Sequence, residues 1–249
     1  MADMNEILLY FNYKYKGDWN RIYEAIKTKE KIEVDEFKSF SDKSKSNMNK
    51  YISILDGDYP QQLLAHKKPP FILHYLGNLD ILTNSTNKIY MTGSYQTNEI
   101  IKYIDNISNK SNVTFMNMYW NGLEQNILKK LIEKNINVIV VLPCSINWAI
   151  SNLNLNEYIA ENCLFISEYP DDYHATKKSY LARNRISAGL CNKMILLSSL
   201  EYKYNTLIDN FLDYGKDIQC LLFKDRLEAD KNIELINQGA ELISENCPI

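Results

Sequence analysis

Arginine is scarce in this 249-residue chain: Lys and Arg together number 28, and only Arg21, Arg183, Arg185 and Arg226 are arginines. Glycine is scarce too, at 8 residues. Neither Gly-x-Gly-x-x-Gly nor a phosphate loop ending in Gly-Lys-Ser/Thr can be found, which argues against hydride transfer on a dinucleotide and against ATP hydrolysis. The five cysteines, Cys144, Cys163, Cys191, Cys220 and Cys247, form no Cys-x-x-Cys pair, so neither a disulfide framework nor a zinc site is expected. They read as small core fillers. The three histidines, His66, His74 and His174, show no helical i, i+4 pairing and suggest no metal site or histidine-activated nucleophile. With no catalytic constellation, the expectation is a protein that is not an enzyme and carries no cofactor. No apolar run approaches the roughly 20 residues of a membrane helix, and the first residues lack the basic stretch of a signal peptide. A cytoplasmic protein with no membrane partner is expected. A net charge of -3 excludes a basic coat for bulk nucleic-acid binding and leaves only a local patch for it.

What is present is ordinary globular material, with hydrophobic residues at 45% and charged residues at 24%. The length suffices for one large domain, or a core domain with a small companion. Residues 1–55 read as a helical appendage, because Ile7, Leu8, Tyr10 and Phe11, then Trp19, Ile22, Tyr23 and Ile26, recur at helical spacing. Gly17-Asp18 reads as the break between two helices, with Asp18 capping the second. Ser39 to Lys50 reads as a loop or a polar helix edge.

From about residue 86, short apolar runs alternate with amphipathic stretches. The runs are Lys88–Thr92, Val113–Met118, Ile136–Leu142, Cys163–Ser167, Lys193–Ser198 and Ile218–Phe223. Between them lie helix-like segments at Asn98–Ile107, Leu123–Lys134, Leu153–Asn162, Ser179–Cys191 and Tyr204–Tyr214. Near-continuous apolar strands between helices predict a parallel sheet covered on both faces. Residues 56–249 are therefore expected to form an α/β domain, an extended Rossmann-like, doubly wound and mostly parallel sheet. Ligands of such sheets bind beyond the carboxyl ends of the strands, near the switch in strand order. Gly93 and Gly122 stand at two of those ends, where they serve close approach to a ligand or simply a tight turn. The amides around Gly93-Ser94 are expected to open onto a helix N-terminus that favours anions.

The densest positive stretch is Lys177, Lys178, Arg183, Arg185 and Lys193, interleaved with Tyr173, His174 and Tyr180. Cations that neutralise a backbone, among rings that stack on bases for about 1–3 kcal/mol each, suit single-stranded nucleic acid. A solvated helix face accounts for lysines equally well but less well for paired guanidiniums, which offer planar, bidentate donors. On a helix, Arg183 and Arg185 lie about 200° apart at about 100° per residue. They are expected to do different jobs, one reaching a ligand and the other anchored on a carboxylate such as Glu168, with either assignment open.

Ser167-Glu168-Tyr169-Pro170, followed by Tyr180-Leu181-Ala182-Arg183-Asn184-Arg185-Ile186-Ser187-Ala188-Gly189-Leu190, resembles the signature of the DNA-processing protein A family, also called DprA or Smf. Upstream, Tyr59-Pro60-Gln61-Gln62-Leu63-Leu64 and the segment from Pro69-Pro70 to Gly77-Asn78 resemble the family's entry segment, and Asn232 to Ala240 is similar to its Asn-x-Leu-Ile-x-x-Gly-Ala stretch. The resemblance runs from about residue 56 to 243. It implies an extended Rossmann-like domain that binds single-stranded DNA and helps load the recombinase RecA onto it, with a homodimer as the acting form and no catalysis. By position, Gly93, Ser94, Gly122, Lys177, Lys178, Tyr180, Arg183, Asn184 and Arg185 would line the DNA site.

The chain departs from the family where Tyr95 follows Gly93-Ser94 in place of an arginine. It departs again where Asn117-Met118-Tyr119-Trp120-Asn121-Gly122-Leu123-Glu124 replaces Ser-Gly-x-Ala-x-Gly-Ile-Asp. Pro143-Cys144-Ser145 and Leu200-Glu201-Tyr202-Lys203 replace glycine-bearing turns. Tyr95, Tyr119 and Trp120 either supply stacking or fill the pocket. Two other readings stay open: a nucleotide-binding or nucleotide-processing Rossmann-like protein, and a degenerate scaffold that keeps only a protein-binding surface.

Overall fold

The computed structural model describes residues 3–47, 50–109, 112–200 and 203–244. The chain opens with helices α1 (Met4–Lys14), α2 (Trp19–Lys27) and α3 (Val34–Asn47), then runs through strand β1 (Lys50–Ser53), α4 (Gln61–Leu64), β2 (Ile72–Gly77) and α5 (Asp80–Thr83). The alternating part follows: β3 (Asn87–Thr92), α6 (Asn98–Asp105), β4 (Val113–Asn117), α7 (Leu123–Glu133), β5 (Asn137–Val141) and α8 (Ile146–Asn152). After a 3-10 turn at Leu155–Tyr158 come β6 (Cys163–Ser167), α9 (Lys177–Leu190), β7 (Lys193–Leu196), α10 (Asn205–Asp213), β8 (Asp217–Leu222), α11 (Asn232–Asn237) and β9 (Glu241–Ser244).

These strands form one sheet in the order β1-β2-β6-β5-β4-β3-β7-β8-β9. From β6 to β9 every neighbouring pair is parallel, while β1 and β2 are antiparallel additions at the β6 edge. The chain winds outward from β3 through β4, β5 and β6, then returns across the sheet to β7 and winds the other way. The switch in order therefore lies between β3 and β7, where a doubly wound sheet opens its crevice.

Side chains alternate faces along each strand, so consecutive apolar residues supply two cores. Val138 and Val140 join Ile89, Met91 and Phe115 under α6 and α7, whereas Ile139 and Val141 join Tyr90, Met116 and Leu164 under α9 and α10. This two-sided burial explains why the strands read as unbroken hydrophobic runs. The N-terminal helices carry their own cluster of Tyr10, Phe11, Ile22 and Ala25, and Leu8 and Leu9 pack on Ile72 of β2. A buried polar chain fastens them to the sheet: Asn12 Oδ1 lies 2.9 Å from His74 Nε2, and its Nδ2 donates to the Glu168 carbonyl at 3.0 Å.

Asp18 caps α2, its carboxylate accepting from the amides of Asn20 and Arg21. Of the two readings of Ser39–Lys50, the polar helix edge holds, since α3 continues to Asn47. Two sequence expectations need correction. The first 55 residues are not wholly helical, because Lys50–Ser53 pairs with β2 as an edge strand. The helix expected at Leu153–Asn162 comes earlier, at Ile146–Asn152, because the Ser145 hydroxyl accepts from the Trp148 amide and starts it, while Asn154 at φ 55° interrupts the backbone. Cys144, Cys163, Cys191 and Cys220 are buried and unpaired, and Cys247 lies outside the described residues, as do Glu201 and Tyr202.

Candidate nucleic-acid interface

The loop after β3 does not form the open anion cradle expected at Gly93-Ser94. The Ser94 amide donates to the Ser198 carbonyl at 3.0 Å and the Tyr95 amide to Ser198 Oγ at 3.1 Å, so the loop after β7 takes both donors. Helix α6 begins only at Asn98, capped by Thr97. Gly93 is buried, and a β-carbon there would lie 2.7 Å from Leu123 Cδ2 and 2.8 Å from Ser198 Oγ. Its missing side chain thus serves close packing within the protein. Tyr95, standing where the family keeps a cation, donates from its hydroxyl to Asp230 at 2.8 Å and accepts from the Leu227 amide. Burial and the Asp230 carboxylate push that phenol up to about 12, so it stays neutral at ordinary pH.

After β4 the chain turns through Tyr119 at φ 54° and Gly122 at φ 96° into α7. A β-carbon at Gly122 would meet nothing within 4 Å, so its positive φ, and not crowding, is what favours glycine there. The centre of this turn is Glu124, a residue that sequence reasoning noted only as a replacement for the family's aspartate. It is 1% exposed, and its carboxylate accepts from Tyr90 Oη at 2.5 Å, Thr92 Oγ1 at 2.6 Å, the Met118 amide at 3.0 Å and the Trp120 amide at 3.1 Å. Four donors stabilise a buried carboxylate. They fix the Met118–Trp120 turn against the end of β3.

That turn sets the position of Arg183 on α9. Arg183 is 1% exposed. Its Nη1 donates to the carbonyls of Met118 at 2.6 Å and Val141 at 3.2 Å, while Nε and Nη2 are buried without a hydrogen-bond partner. The guanidinium carbon lies 4.7 Å from the centre of the Trp120 ring and 4.8 Å from that of Tyr180, and the two rings are stacked at 5.1 Å. Burial pulls the pKa of Arg183 down, with the Glu124 charge opposing it. The group remains a cation. Tyr180 and Trp120 are half-buried and form a lid over it.

Arg185 is the arginine anchored on Glu168. Its Nη1 and Nη2 each donate to one carboxylate oxygen at 2.6 Å, and its Nε donates to the Lys68 carbonyl at 3.0 Å. Asn184 is buried beside them. Lys177 and Lys178 are exposed at the start of α9, where Lys178 pairs with Asp18 at 3.0 Å. The structure therefore brings Tyr180 and Arg183 against Trp120, in the turn that ends at Gly122, while Lys177 stands exposed at the start of α9. It turns Lys178 and Arg185 to the other flank of the helix. The motifs upstream and downstream hold the frame: Tyr59 Oη donates to the Pro70 carbonyl at 2.7 Å, and Asn232 Nδ2 donates to the carbonyls of Leu196 and Leu221, tying β7 to β8. Among the described residues no group of three metal-ligating side chains occurs, and no helix is long and apolar enough to cross a membrane.

A doubly wound sheet with an antiparallel extension, its strand order switching between β3 and β7 and a buried guanidinium over the ends of β4 and β5, defines an extended Rossmann-like protein. The sequence matches the family described as DNA recombination-mediator protein A over residues 50–248, and the chain belongs to that family. It is 31% identical to protein Smf of Synechocystis over 204 residues, a match covering 77% of this chain and 51% of that protein. It is 27% identical to DNA processing protein DprA of Streptococcus pneumoniae over 203 residues, covering 77% of this chain and 70% of that one. The chain thus spans about half the length of the Smf relative. In fold it is similar to the crystal structure of DprA from Streptococcus pneumoniae, with a TM-score of 0.77 at 19% identity, covering 98% of this chain and 95% of that one. It is also similar to DNA processing protein A from Helicobacter pylori, described by its single-stranded DNA binding mode, with a TM-score of 0.66 at 22% identity, covering 78% of this chain and 91% of that one.

Proposed function

We propose that this protein binds single-stranded DNA beyond the carboxyl ends of β4 and β5, where Arg183 lies, as a recombination mediator that acts without catalysis in the cytoplasm, as a homodimer with RecA as partner. The observation that carries the reading is Arg183, a buried cation at the strand ends whose Nε and Nη2 have no hydrogen-bond partner. An unpaired buried donor costs about 1–3 kcal/mol, more when charged, and a phosphate oxygen is the acceptor such a fork fits. Lys177, six residues earlier on α9, adds an exposed cation, and with the lid parted Tyr180 offers a ring face to bases. In this reading residues 1–55 are an appendage to the domain 56–249, and Gly93, Ser94, Asn184 and Arg185 shape the site from behind.

The Trp120–Tyr180 stack also favours a second reading, in which the lid is a permanent plug and only a protein-binding surface survives. Fluorescence anisotropy with a labelled oligonucleotide at about 50 mM salt separates the two, because phosphate contacts weaken steeply with salt. Binding that falls in Lys177→Ala and again in Arg183→Lys supports the DNA reading. Absence of binding, together with capture of purified RecA, supports the plug.

A further inference from the structure

A second cleft, of about 390 Å³, lies on the opposite flank of α9, between its first turns and the turn joining α1 to α2. Lys178, Ala182 and Arg185 form its α9 wall, whereas Tyr180 and Arg183 face Trp120. The α1–α2 turn supplies Lys16, the first turn of α2 supplies Arg21, and the segment before β2 supplies Lys68. These cations stand against two carboxylates, Asp18 and Glu168, in a chain whose net charge is -3.

Both carboxylates are already engaged. Glu168 holds Arg185, and Asp18 caps α2 and pairs with Lys178. Lys16, Arg21 and Lys68 have no ion-pair partner among the described residues: the Arg21 guanidinium lies 4.5 Å from the Tyr15 ring centre, and Lys68 donates to Asn20 Oδ1 at 2.8 Å with its Nζ 5.5 Å from the Trp19 ring centre. Like charges gathered in a cleft repel one another, and lysines in the first turn of α9, which has no acidic residue there, oppose the helix dipole. An anionic ligand removes both penalties. Aromatic rings continue outward from the cleft, with Trp19 stacked on Tyr23 at 5.0 Å and on Phe71 at 5.4 Å, and Tyr23 exposed.

We propose that this cleft binds the phosphate backbone of single-stranded nucleic acid, with Lys16, Arg21 and Lys68 as its cations and the Trp19–Tyr23 stack meeting the bases. The strand crosses the start of α9 at Lys177 and Lys178 on its way to Arg183. The ligand class rests on the reading given under Proposed function, and the test below separates the two sites.

The chain has 3 tryptophans, so Trp120→Phe with Trp148→Phe leaves Trp19 as reporter of the cleft, and Trp19→Phe with Trp148→Phe leaves Trp120 as reporter of the Arg183 site. Each protein is titrated with oligo(dT) of about 20 nucleotides and, separately, with thymidine monophosphate, at about 50 mM salt. Oligo(dT) is expected to change Trp19 emission, and Lys16→Ala with Lys68→Ala to weaken that response about tenfold. The loss of two phosphate contacts lowers the slope of log affinity against log salt by about 1.4. A Trp19 response unaffected by the two lysine changes overturns the cleft and leaves the Arg183 reading intact. A responsive Trp19 beside a silent Trp120 supports the cleft while the Arg183 reading fails. Silence at Trp19 overturns the proposal, as does thymidine monophosphate binding as tightly as the oligonucleotide, which makes a free nucleotide the ligand.

Discussion

Arg185 and Glu168 meet through two hydrogen bonds of 2.6 Å, which join α9 to the segment that follows β6. Burial draws the Arg185 pKa down, but the Glu168 charge and its hydrogen bonds outweigh burial and leave it raised. One of the two paired arginines is therefore a structural ion pair, and the other sits under an aromatic lid.

Removing Arg185 leaves the Glu168 carboxylate, with its side chain 5% exposed, without its cation. Arg185→Ala is expected to destabilise the protein by about 3–5 kcal/mol, the range for breaking one side of a buried pair. Adding Glu168→Gln should recover part of that loss. Urea denaturation of the single and double variants measures the coupling, and a loss below about 1 kcal/mol in Arg185→Ala would place the pair among weak surface contacts.

The Trp120 indole covers Arg183 together with Tyr180. If DNA reaches Arg183 only when the lid parts, the closed fraction lowers the apparent affinity, and Trp120→Ala should raise it. Anisotropy at fixed salt gives the affinity, and modification of Arg183 by phenylglyoxal, followed by mass spectrometry, gives its accessibility. Greater accessibility with weaker binding would make Trp120 a base-stacking ring and not a lid.

Gly189 lies against His66: a β-carbon there would fall 1.7 Å from His66 Nε2, while Nδ1 is 2.7 Å from the Tyr214 hydroxyl. Overpacking of this kind costs about 1–3 kcal/mol. Gly189→Ala is expected to lower stability by that amount, and the added His66→Ala to make the alanine nearly harmless. Additive effects in the double-mutant cycle would exclude this contact as the cause.

Buried histidines set the acid side of the stability profile. Burial, with the Arg185 and Lys216 charges, pushes His66 down to about 4, and burial alone pushes His74 down to about 3. Both are neutral in the folded chain, whereas an unfolded histidine takes up a proton near pH 6.5. Below that pH the unfolded state binds more protons, so stability is retained above about pH 6.5 and falls as the pH drops towards about 4 and about 3, at up to about 1.4 kcal/mol per unit for each histidine. Urea midpoints between about pH 7 and pH 5 should fall accordingly, and His74→Gln should roughly halve the slope.

Much of the fold was legible because strand burial on both faces leaves a local mark. Ile136–Leu142 reads as a strand without reference to any other segment, and Cys163–Ser167 likewise. The short edge strands β1 and β9 leave no such mark, since only Ile52 and Ser53 of β1 are buried and no residue of β9 is. Helix α8 was missed because a single serine starts it and an asparagine soon interrupts the chain. At the candidate site, the spacing of Arg183 and Arg185 showed that they face different ways. The cleft of Lys16, Arg21 and Lys68 left no signal, because its cations come from separate segments.

The alternation of strands and helices, the two buried faces of the sheet and the family motifs are all readable along the chain. Each of these is a local pattern of side-chain periodicity or identity. Which arginine pairs with Glu168, that Ser198 takes the amides after Gly93, and that Trp120 closes over Arg183 emerge with the folded chain. Those outcomes depend on partners brought together from distant parts of the chain, such as the Met118 and Val141 carbonyls that hold Arg183. A hydrogen bond is decided by separation and direction in space, and one-dimensional spacing carries neither once the chain has crossed the sheet.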